Sequence, residues 1–297
     1  MTLAIGLIGL GAMGSGMAQS LRRAGHDLCV FDLRSELAQR FAESGGTACA
    51  TLAELGARCD VVVSVVVDAR QTESLLFGDD ALVDSMKPGS LFVMCSTIDP
   101  RSSCDFEGRL AEHGLLYLDA PISGGAAKAA SGQMTMMTSG RPEAYAAVGS
   151  ALDDMAATVY RLGDAAGAGS KVKVINQLLA GVHIAAAAEA LALGLREGVD
   201  PAALYEVITH SAGNSWMFEN RMPHVLAADY TPLSAVDIFV KDLGLVLDLA
   251  RASKFPLPLS STAHQMFMQA SSAGHGGEDD SAVIKIFPGI ELPGGGA

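Results

Sequence analysis

Apolar residues recur with one spacing in the first half of the chain and with another in the second. Up to residue 164, short apolar runs such as Val61 to Val67 and Leu91 to Cys95 alternate with amphipathic stretches. Runs that are apolar on both faces are typical of parallel strands covered by helices on either side. The pattern predicts an α/β fold that begins with a Rossmann-type, doubly wound sheet over residues 1–164.

From residue 165 onward the strand signals disappear and helical spacing takes over. The longest such stretch is alanine-rich and runs from Lys171 to Arg196. Because apolar residues recur three and four positions apart, we predict an all-α second domain over residues 165–297, joined to the first by a long helix over residues 170–197. Asp280 is expected to cap a last short helix.

A glycine-rich turn follows the first apolar run of the chain. Gly9 permits the tight turn, Gly11 lets the backbone approach a pyrophosphate, and Gly14 lets the following helix pack closely against the strand. Ala12 and Met13 open that helix, whose N-terminal N–H groups can bind phosphate. A glycine-rich turn alone also occurs as a plain loop, so the strand before it and the helix after it are what predict a dinucleotide site.

The second apolar run ends in a carboxylate. Asp32 lies where it can accept hydrogen bonds from the adenosine ribose hydroxyls, and its charge would repel the extra phosphate of NADP. NAD is therefore the expected cofactor. Arg34 keeps NADP open as an alternative, because a nearby guanidinium can bind a phosphate.

Composition narrows the class of protein. The chain is 49% hydrophobic and 18% charged, which allows a large core and excludes a disordered protein. Its formal net charge of −13 argues against binding to nucleic acid or to an anionic membrane surface. Five cysteines without CxxC spacing indicate buried, reduced thiols in a cytoplasmic protein. We expect no transmembrane segment, because His183 and Glu189 interrupt the longest apolar stretch, and no metal, because the histidines are scattered.

Two further segments lie at the ends of predicted strands, where open α/β sheets collect ligands. Thr97 follows one strand and precedes a capped helix start at Asp99 and Pro100, so it is a candidate cofactor or substrate contact. Ser123, with the amides of Gly124 and Gly125, could hold a carboxylate. The alternatives are a hydroxyl that satisfies a loop backbone and a plain strand-ending turn.

Polar residues on the long helix need a reason because the helix is mostly apolar. Lys173, Asn176 and Gln177 share one face at about 100° per residue, which predicts that this face meets a polar group. The alternative is a lysine that extends its amine to water from a helix start. Lys241, on a later helix, is better explained from the residues alone by a solvated ion pair with Asp237 one turn earlier.

Four motifs together resemble those of the β-hydroxyacid dehydrogenases over nearly the whole chain: GLGAMGSGMAQSL, DAPISGG, GAGSKVKVINQ and VKDLG. The resemblance implies a helical domain that supplies much of a dimer interface. It implies Lys173 as the catalytic lysine, Ser123 to Gly125 as the carboxylate site, Thr97 near the nicotinamide ribose, and Lys241 beside cofactor and substrate. A homodimer or homotetramer is expected.

Longer segments are most similar to the L-threonate dehydrogenase branch of that family. The branch implies NAD-dependent oxidation of a four-carbon sugar acid next to its carboxylate, with Lys173 as general base and with Asn176 and Gln177 on the substrate hydroxyls. Asn176 departs from the histidine usual in the branch, so 3-hydroxyisobutyrate, glycerate or tartronate semialdehyde stay open as substrates. A different class, a non-catalytic dinucleotide sensor, predicts cofactor binding without turnover.

Overall fold

A computed structural model describes residues 3–294 of the chain. The chain forms two compact units, which divide between Lys173 and Val174. The first unit is built on a parallel sheet and the second is helical, as predicted.

The first unit contains a six-stranded sheet in the order β3-β2-β1-β4-β5-β6, and every neighbouring pair is parallel. This order reverses direction between β1 and β4, which creates the crevice where doubly wound sheets bind ligands. The Rossmann-type prediction is confirmed. The strands are β1 Ala4–Ile8, β2 Asp27–Phe31, β3 Thr47–Ala48, β4 Val61–Ser64, β5 Leu91–Met94 and β6 Leu116–Asp119.

Both faces of this sheet are buried. Along β4, Val61 and Val63 belong to the apolar cluster on one face, whereas Val62 belongs to the cluster on the other. Side chains alternate between faces along a strand, so a continuous apolar run is what a sheet covered on both sides requires. The run predicted to Val67 pairs only as far as Ser64, because the next residues turn away at the edge of the sheet.

Among the described residues of this unit, eight α-helices and a 3₁₀ helix, Leu82–Asp84, connect or flank the strands. Side chains cap three of them: Thr51 on α3, Asp68 on α4 and Asp99 on α5, the last followed by Pro100 as predicted. The helices are α1 Ala12–Arg23, α2 Ser35–Glu43, α3 Leu52–Arg58, α4 Ala69–Phe77, α5 Pro100–Glu112, α6 Gly125–Ser131, α7 Pro142–Val148 and α8 Ala151–Met155.

A second, three-stranded sheet was not predicted. It contains β7 Ile122–Ser123, β8 Met134–Thr138 and β9 Ala156–Arg161, with β7 antiparallel and β9 parallel to the central β8. β7 is only two residues long and β9 is largely exposed, so neither has the apolar run on which the prediction of strands depended. Ser123, the candidate carboxylate contact, therefore lies at the end of a strand of this sheet.

The helical unit follows along α9 Ala168–Arg196, which passes through the division between the units. Its core surrounds Phe239 and Phe267, whose rings stack at 5.2 Å between centroids. The further helices are α10 Pro201–Thr209, α11 Trp216–Leu226, α12 Val236–Ser253 and α13 Pro258–Ala270, followed by a π-helical turn Ser271–His275 and a 3₁₀ helix Asp280–Ile286.

Two features of this unit differ from the sequence analysis. α11 was not predicted, because Pro223 lies inside it, but the serine before it caps its first turn. The last helix is capped by Asp279, whose carboxylate accepts from the Ser281 amide, and not by Asp280. Asp280 instead forms an ion pair with Arg221.

By length and composition α9 is apolar enough to cross a membrane, with a mean hydropathy of 1.8. Its inner positions Ile184, Ala188 and Leu191 are fully buried in the core of the helical unit. Packing inside the helical unit accounts for these inner positions, but only 39% of the apolar window of α9 is buried.

Candidate active site

The glycine-rich turn has the geometry that each of its glycines was predicted to provide. Gly9 has a φ of +94°, and a Cβ there would lie 2.7 Å from the carbonyl oxygen of Val65. A Cβ on Gly14 would lie 1.8 Å from the carbonyl oxygen of Gly9, so α1 can approach the turn only without one. A Cβ on Gly11 would meet no atom within 4 Å. The surface beside Gly11 is therefore open.

This open surface suits a bound pyrophosphate. Gly11 caps α1 without a side-chain hydrogen bond, and the first turn, which contains Ala12 and Met13, carries no acidic residue. The N–H groups that begin a helix have no acceptor inside the helix and attract anions. The residues present fit a dinucleotide cofactor, with its phosphates on the N-terminus of α1.

Asp32 lies beside this turn at the end of β2. Its Oδ2 accepts from the Leu10 amide at 2.7 Å, and its Oδ1 accepts from the amide of Arg34 at 2.9 Å. The Arg34 guanidinium also points back to this carboxylate, with 3.4 Å between Nε and Oδ1. A carboxylate at the ribose position with its neighbouring arginine drawn toward it favours NAD over NADP.

Thr97 lies at the carboxyl edge of the same sheet, three residues after β5 ends, and is half-buried. The preceding residue, Ser96, is buried and donates to the carbonyl oxygen of Val66 at 2.7 Å. This bond links the loops that follow β4 and β5. Thr97 therefore lies at the carboxyl edge of the sheet after β5, which is the neighbour of β4 in the strand order.

Ser123, Gly124 and Gly125 connect β7 to α6. Both glycines have positive φ values, +138° and +79°, which residues other than glycine rarely adopt. A Cβ on Gly125 would meet no atom within 4 Å, and the first turn of α6 contains no acidic residue. The half-buried Ser123 hydroxyl and two backbone amides thus lie in a short segment that can accommodate a carboxylate.

Lys173 is buried, with 6% of its surface exposed, although it lies only five residues into α9. The neighbouring Lys171 is exposed. The helical spacing predicted that Lys173 and Lys171 lie on opposite faces of α9, and the face with Lys173 is the buried one.

In the helical unit, four polar side chains form a connected series. Asn176 donates to Gln177 at 3.1 Å, and Gln177 donates to Asp242 at 2.6 Å. The second oxygen of Asp242 lies 2.7 Å from the amine of Lys241. Asn176, Gln177 and Lys241 are therefore brought together, and the alternative partner Asp237 instead accepts from Ser271.

Asp242 is the residue that the sequence analysis missed in this series. It is 1% exposed and lies on α12 with the buried Phe239, Leu243 and Val246. These positions follow the three- and four-residue spacing of a buried helix face, so an acid among them was a detectable signal. A buried carboxylate is stable only when it is paired, and Lys241 and Gln177 pair it here.

The cysteines mostly match their prediction. Cys29, Cys49, Cys59 and Cys95 are buried and free, but Cys104 is exposed on α5. Burial raises the pKa of Cys49 to about 12, so its thiol is unreactive at neutral pH. Among residues 3–294, no three His, Cys, Asp or Glu side chains are grouped to hold a metal ion.

Two family models together match most of the chain. Residues 4–163 match the NAD binding domain of 6-phosphogluconate dehydrogenase, and residues 167–287 match the NAD-binding family of NADP-dependent 3-hydroxyisobutyrate dehydrogenase. The L-threonate dehydrogenase of Cupriavidus necator is 70% identical over 98% of each chain. That of Pectobacterium atrosepticum is 52% identical over 98% of this chain and 96% of its own.

A solved structure is similar along nearly the whole chain. The crystal structure of a 3-hydroxyisobutyrate dehydrogenase from Salmonella typhimurium superposes with a TM-score of 0.92 at 52% identity. The match covers 95% of this chain and 99% of that one.

Proposed function

This chain belongs to the 3-hydroxyisobutyrate dehydrogenase-related family of β-hydroxyacid dehydrogenases, and we propose that its reaction is the oxidation of L-threonate to its 2-oxo acid, 2-oxo-tetronate. It is an NAD-dependent hydroxy acid dehydrogenase. The observation that carries the choice of substrate is the 70% identity to an L-threonate dehydrogenase over 98% of both chains.

The cofactor would be held by the first unit. The turn from Gly9 to Gly14 would bind the pyrophosphate, and Asp32 would accept hydrogen bonds from the adenosine ribose. Thr97 and Lys241 would lie beside the nicotinamide ribose and the substrate. When bound, NAD supplies the acceptor for the hydrogen and electron pair that leave the substrate carbon.

Lys173 is the residue we assign as general base. Its buried amine would take the hydroxyl proton as the carbon–oxygen bond becomes a carbonyl. Ser123 and the amides of Gly124 and Gly125 would fix the carboxylate. Asn176 and Gln177 would orient the hydroxyls, with Asp242 holding Gln177 in place. Such an arrangement would present the carbon next to the carboxylate for oxidation.

A second candidate substrate is 3-hydroxyisobutyrate. It is favoured by the name of the Salmonella typhimurium structure, and by Asn176 at a position where the L-threonate branch carries histidine. Steady-state assays with NAD and L-threonate, D-threonate, erythronate, glycerate and 3-hydroxyisobutyrate separate the two. We expect the highest kcat/KM with L-threonate. A higher value with any other acid would reassign the substrate.

Replacing the proposed base tests the chemistry. General bases typically contribute about a hundredfold to ten-thousandfold, so Lys173→Ala should lose turnover by such a factor and still bind NAD. Lys171→Ala, on the exposed face of the same helix, is the matched control and should keep full activity. Full turnover by Lys173→Ala would remove this lysine from the role. Cofactor binding by the unaltered chain without turnover of any of the acids would instead favour a dinucleotide sensor.

We also propose that the enzyme works as a homodimer or homotetramer in the cytoplasm. Ile175, Leu179 and Leu193 on α9 are 53%, 53% and 61% exposed. Leu179, Ala186 and Leu193 are spaced by seven residues, so they align as one apolar stripe along the helix. A second copy of this chain is the occupant expected for the stripe. Free cysteines are consistent with a compartment that keeps thiols reduced.

A further inference from the structure

A buried carboxylate holds the beginning of the helix that carries Lys173. Asp119 ends β6 and is fully buried. Its Oδ2 accepts from the amides of Gly167 and Ser170, each at 2.9 Å. Its Oδ1 accepts from the Ser170 hydroxyl at 2.7 Å. The donors belong to the turn that starts α9, forty-eight and fifty-one residues away in sequence.

Ser139 extends this contact. Its hydroxyl donates to Asp119 at 3.1 Å and accepts from the Gly169 amide at 2.9 Å. The backbones of Asp119 and Ser139 also bond to each other in both directions, at 3.0 and 2.8 Å. Helices usually satisfy their first amides with a local side chain. Gly167 has no side chain to do this, and the side chains of Asp119 and Ser139 accept from the first amides of α9 instead.

The backbone of this turn lies directly against the strands. A Cβ on Gly169 would lie 2.3 Å from the carbonyl oxygen of Met137 and 3.2 Å from that of Asp119. Gly167 has a φ of +99°, and a Cβ there would lie 2.8 Å from the sulfur of Cys104. The backbone at the start of α9 therefore packs directly against β6 and β8, with no room for a side chain at Gly169.

Burial raises the pKa of Asp119, while the hydrogen bonds from Ser170, Gly167 and Ser139 lower it. A negative charge at a helix N-terminus also interacts favourably with the helix dipole. An isolated buried carboxylate would be costly to keep. The hydrogen bonds that Asp119 accepts from the start of α9 therefore offset the cost of burying its carboxylate.

We infer that Asp119 and Ser139 are positioning residues, which set the location of the Lys173 amine by fixing the turn Gly167 to Ser170. Lys173 lies one helical turn beyond Gly169, so a shift of this turn moves the lysine with it. The inference rests on the proposed role of Lys173. Misplacing a catalytic group by about 1 Å can cost roughly a hundredfold in rate.

The test is a double-mutant cycle measured by NADH formation from L-threonate. Ser170→Ala and Ser139→Ala each remove one hydroxyl of the contact, and each should lower kcat about tenfold while the Kd for NAD stays within about twofold. In the Lys173→Ala background the same substitutions should lower the residual rate by less than about twofold, because no amine is left to position.

Each outcome has a distinct meaning. An equal loss in both backgrounds would show that the hydroxyls support the fold in general, and would overturn the inference alone. Full turnover by Lys173→Ala would overturn the assignment of the base and the positioning role together. Thr138→Val is the matched control: it removes a fully buried hydroxyl from the adjacent position of β8, whose partners are Tyr145 and Tyr160. It should leave kcat within about twofold, and a tenfold loss from it would also overturn the inference.

Discussion

At the scale of single residues, carboxylates organise the parts of the candidate site. Asp32 binds the amide of Leu10 and so joins the end of β2 to the glycine-rich turn. Asp119 binds the start of α9, and Asp242 binds Lys241 and Gln177. A desolvated carboxylate needs several donors, so each of these acids draws separate segments to one point.

These acids differ in how far the sequence predicted them. Asp32 was predicted because its distance from Gly14 is set by one strand and one helix, which are local structures. Asp119 was visible only as part of a motif, since its partners lie far along the chain. Asp242 was missed because Lys241 had a plausible local partner in Asp237.

The buried pair of Arg221 and Asp280 gives a prediction about stability. The guanidinium Nε donates to Asp280 at 2.5 Å and Nη2 donates at 3.1 Å, and both residues are buried. Burial raises the pKa of Asp280 to about 6, and Arg221 opposes that rise. Arg221→Met should lower the free energy of unfolding by about 3–5 kcal/mol at pH 7, because it leaves a buried charge unpaired.

The loss should be smaller at pH 5. The native pKa of Asp280 lies above its ordinary value of 3.8, so the native state binds this proton more tightly than the unfolded chain does. The stability that this group contributes is then present at low pH and is lost as pH rises through the native pKa. Removing Arg221 raises that pKa further. Urea unfolding at pH 5 and pH 7 measures the difference.

The control is Arg251→Met, which breaks an exposed pair with Asp248 on α12. Exposed pairs contribute about 0–1 kcal/mol, so this variant should match the parent at both pH values. An Arg221→Met loss that is equal at pH 5 and pH 7 would contradict the titration of Asp280.

At the scale of elements, different glycines of the turn between β1 and α1 serve the fold and the binding of the cofactor. Gly14 is needed because α1 passes so close to Gly9 that a Cβ has no room. Gly11 has a φ of −68°, which any residue adopts, and its Cβ would meet only open space. Gly14 therefore serves the fold, and Gly11 leaves space for the cofactor.

Alanine substitutions test this separation. Gly14→Ala should lower the free energy of unfolding by about 1–3 kcal/mol, as expected for overpacking. Gly11→Ala should keep the melting temperature within about 2 °C but weaken NAD binding at least about tenfold, a loss of about 1.4 kcal/mol. Thermal unfolding and NAD titration measure both variants. Unchanged NAD binding by Gly11→Ala would contradict the placement of the pyrophosphate beside it.

Elements with weak local signals were the ones that the sequence analysis missed. β7 pairs two residues with β8, and its strand conformation exists only because β8 lies beside it. α11 contains Pro223, yet its apolar positions Phe218, Met222 and Val225 are buried in the helical core. In both cases packing outweighs the local preference of the residues.

At the scale of the whole molecule, the apolar stripe on α9 is an unusual surface for a helix that also supplies a core. Contiguous exposed apolar residues typically mark an interaction surface. Leu179→Lys should therefore shift the protein from an oligomer to a monomer, because a buried ammonium at the interface has no paired charge. Light scattering coupled to size-exclusion chromatography measures the mass.

Val207→Lys is the control, since Val207 is 62% exposed on α10, outside the stripe. It should keep the mass of the parent protein. A Leu179→Lys variant with the parent's mass would show that the stripe is not the interface. NAD binding by the variant would confirm that its first unit is still folded.

The amino-acid sequence by itself determined the two-part architecture, the cofactor turn with Asp32, and the buried face of α9 that holds Lys173. These follow from local periodicity and from turn chemistry, which act over a few residues. Only the tertiary structure decided the small second sheet, the pairing of Asp242 with Lys241, and the contact of Asp119 with the start of α9. Their partners lie far apart in sequence, so the bonds exist only after the chain has brought distant segments together and removed water from between them.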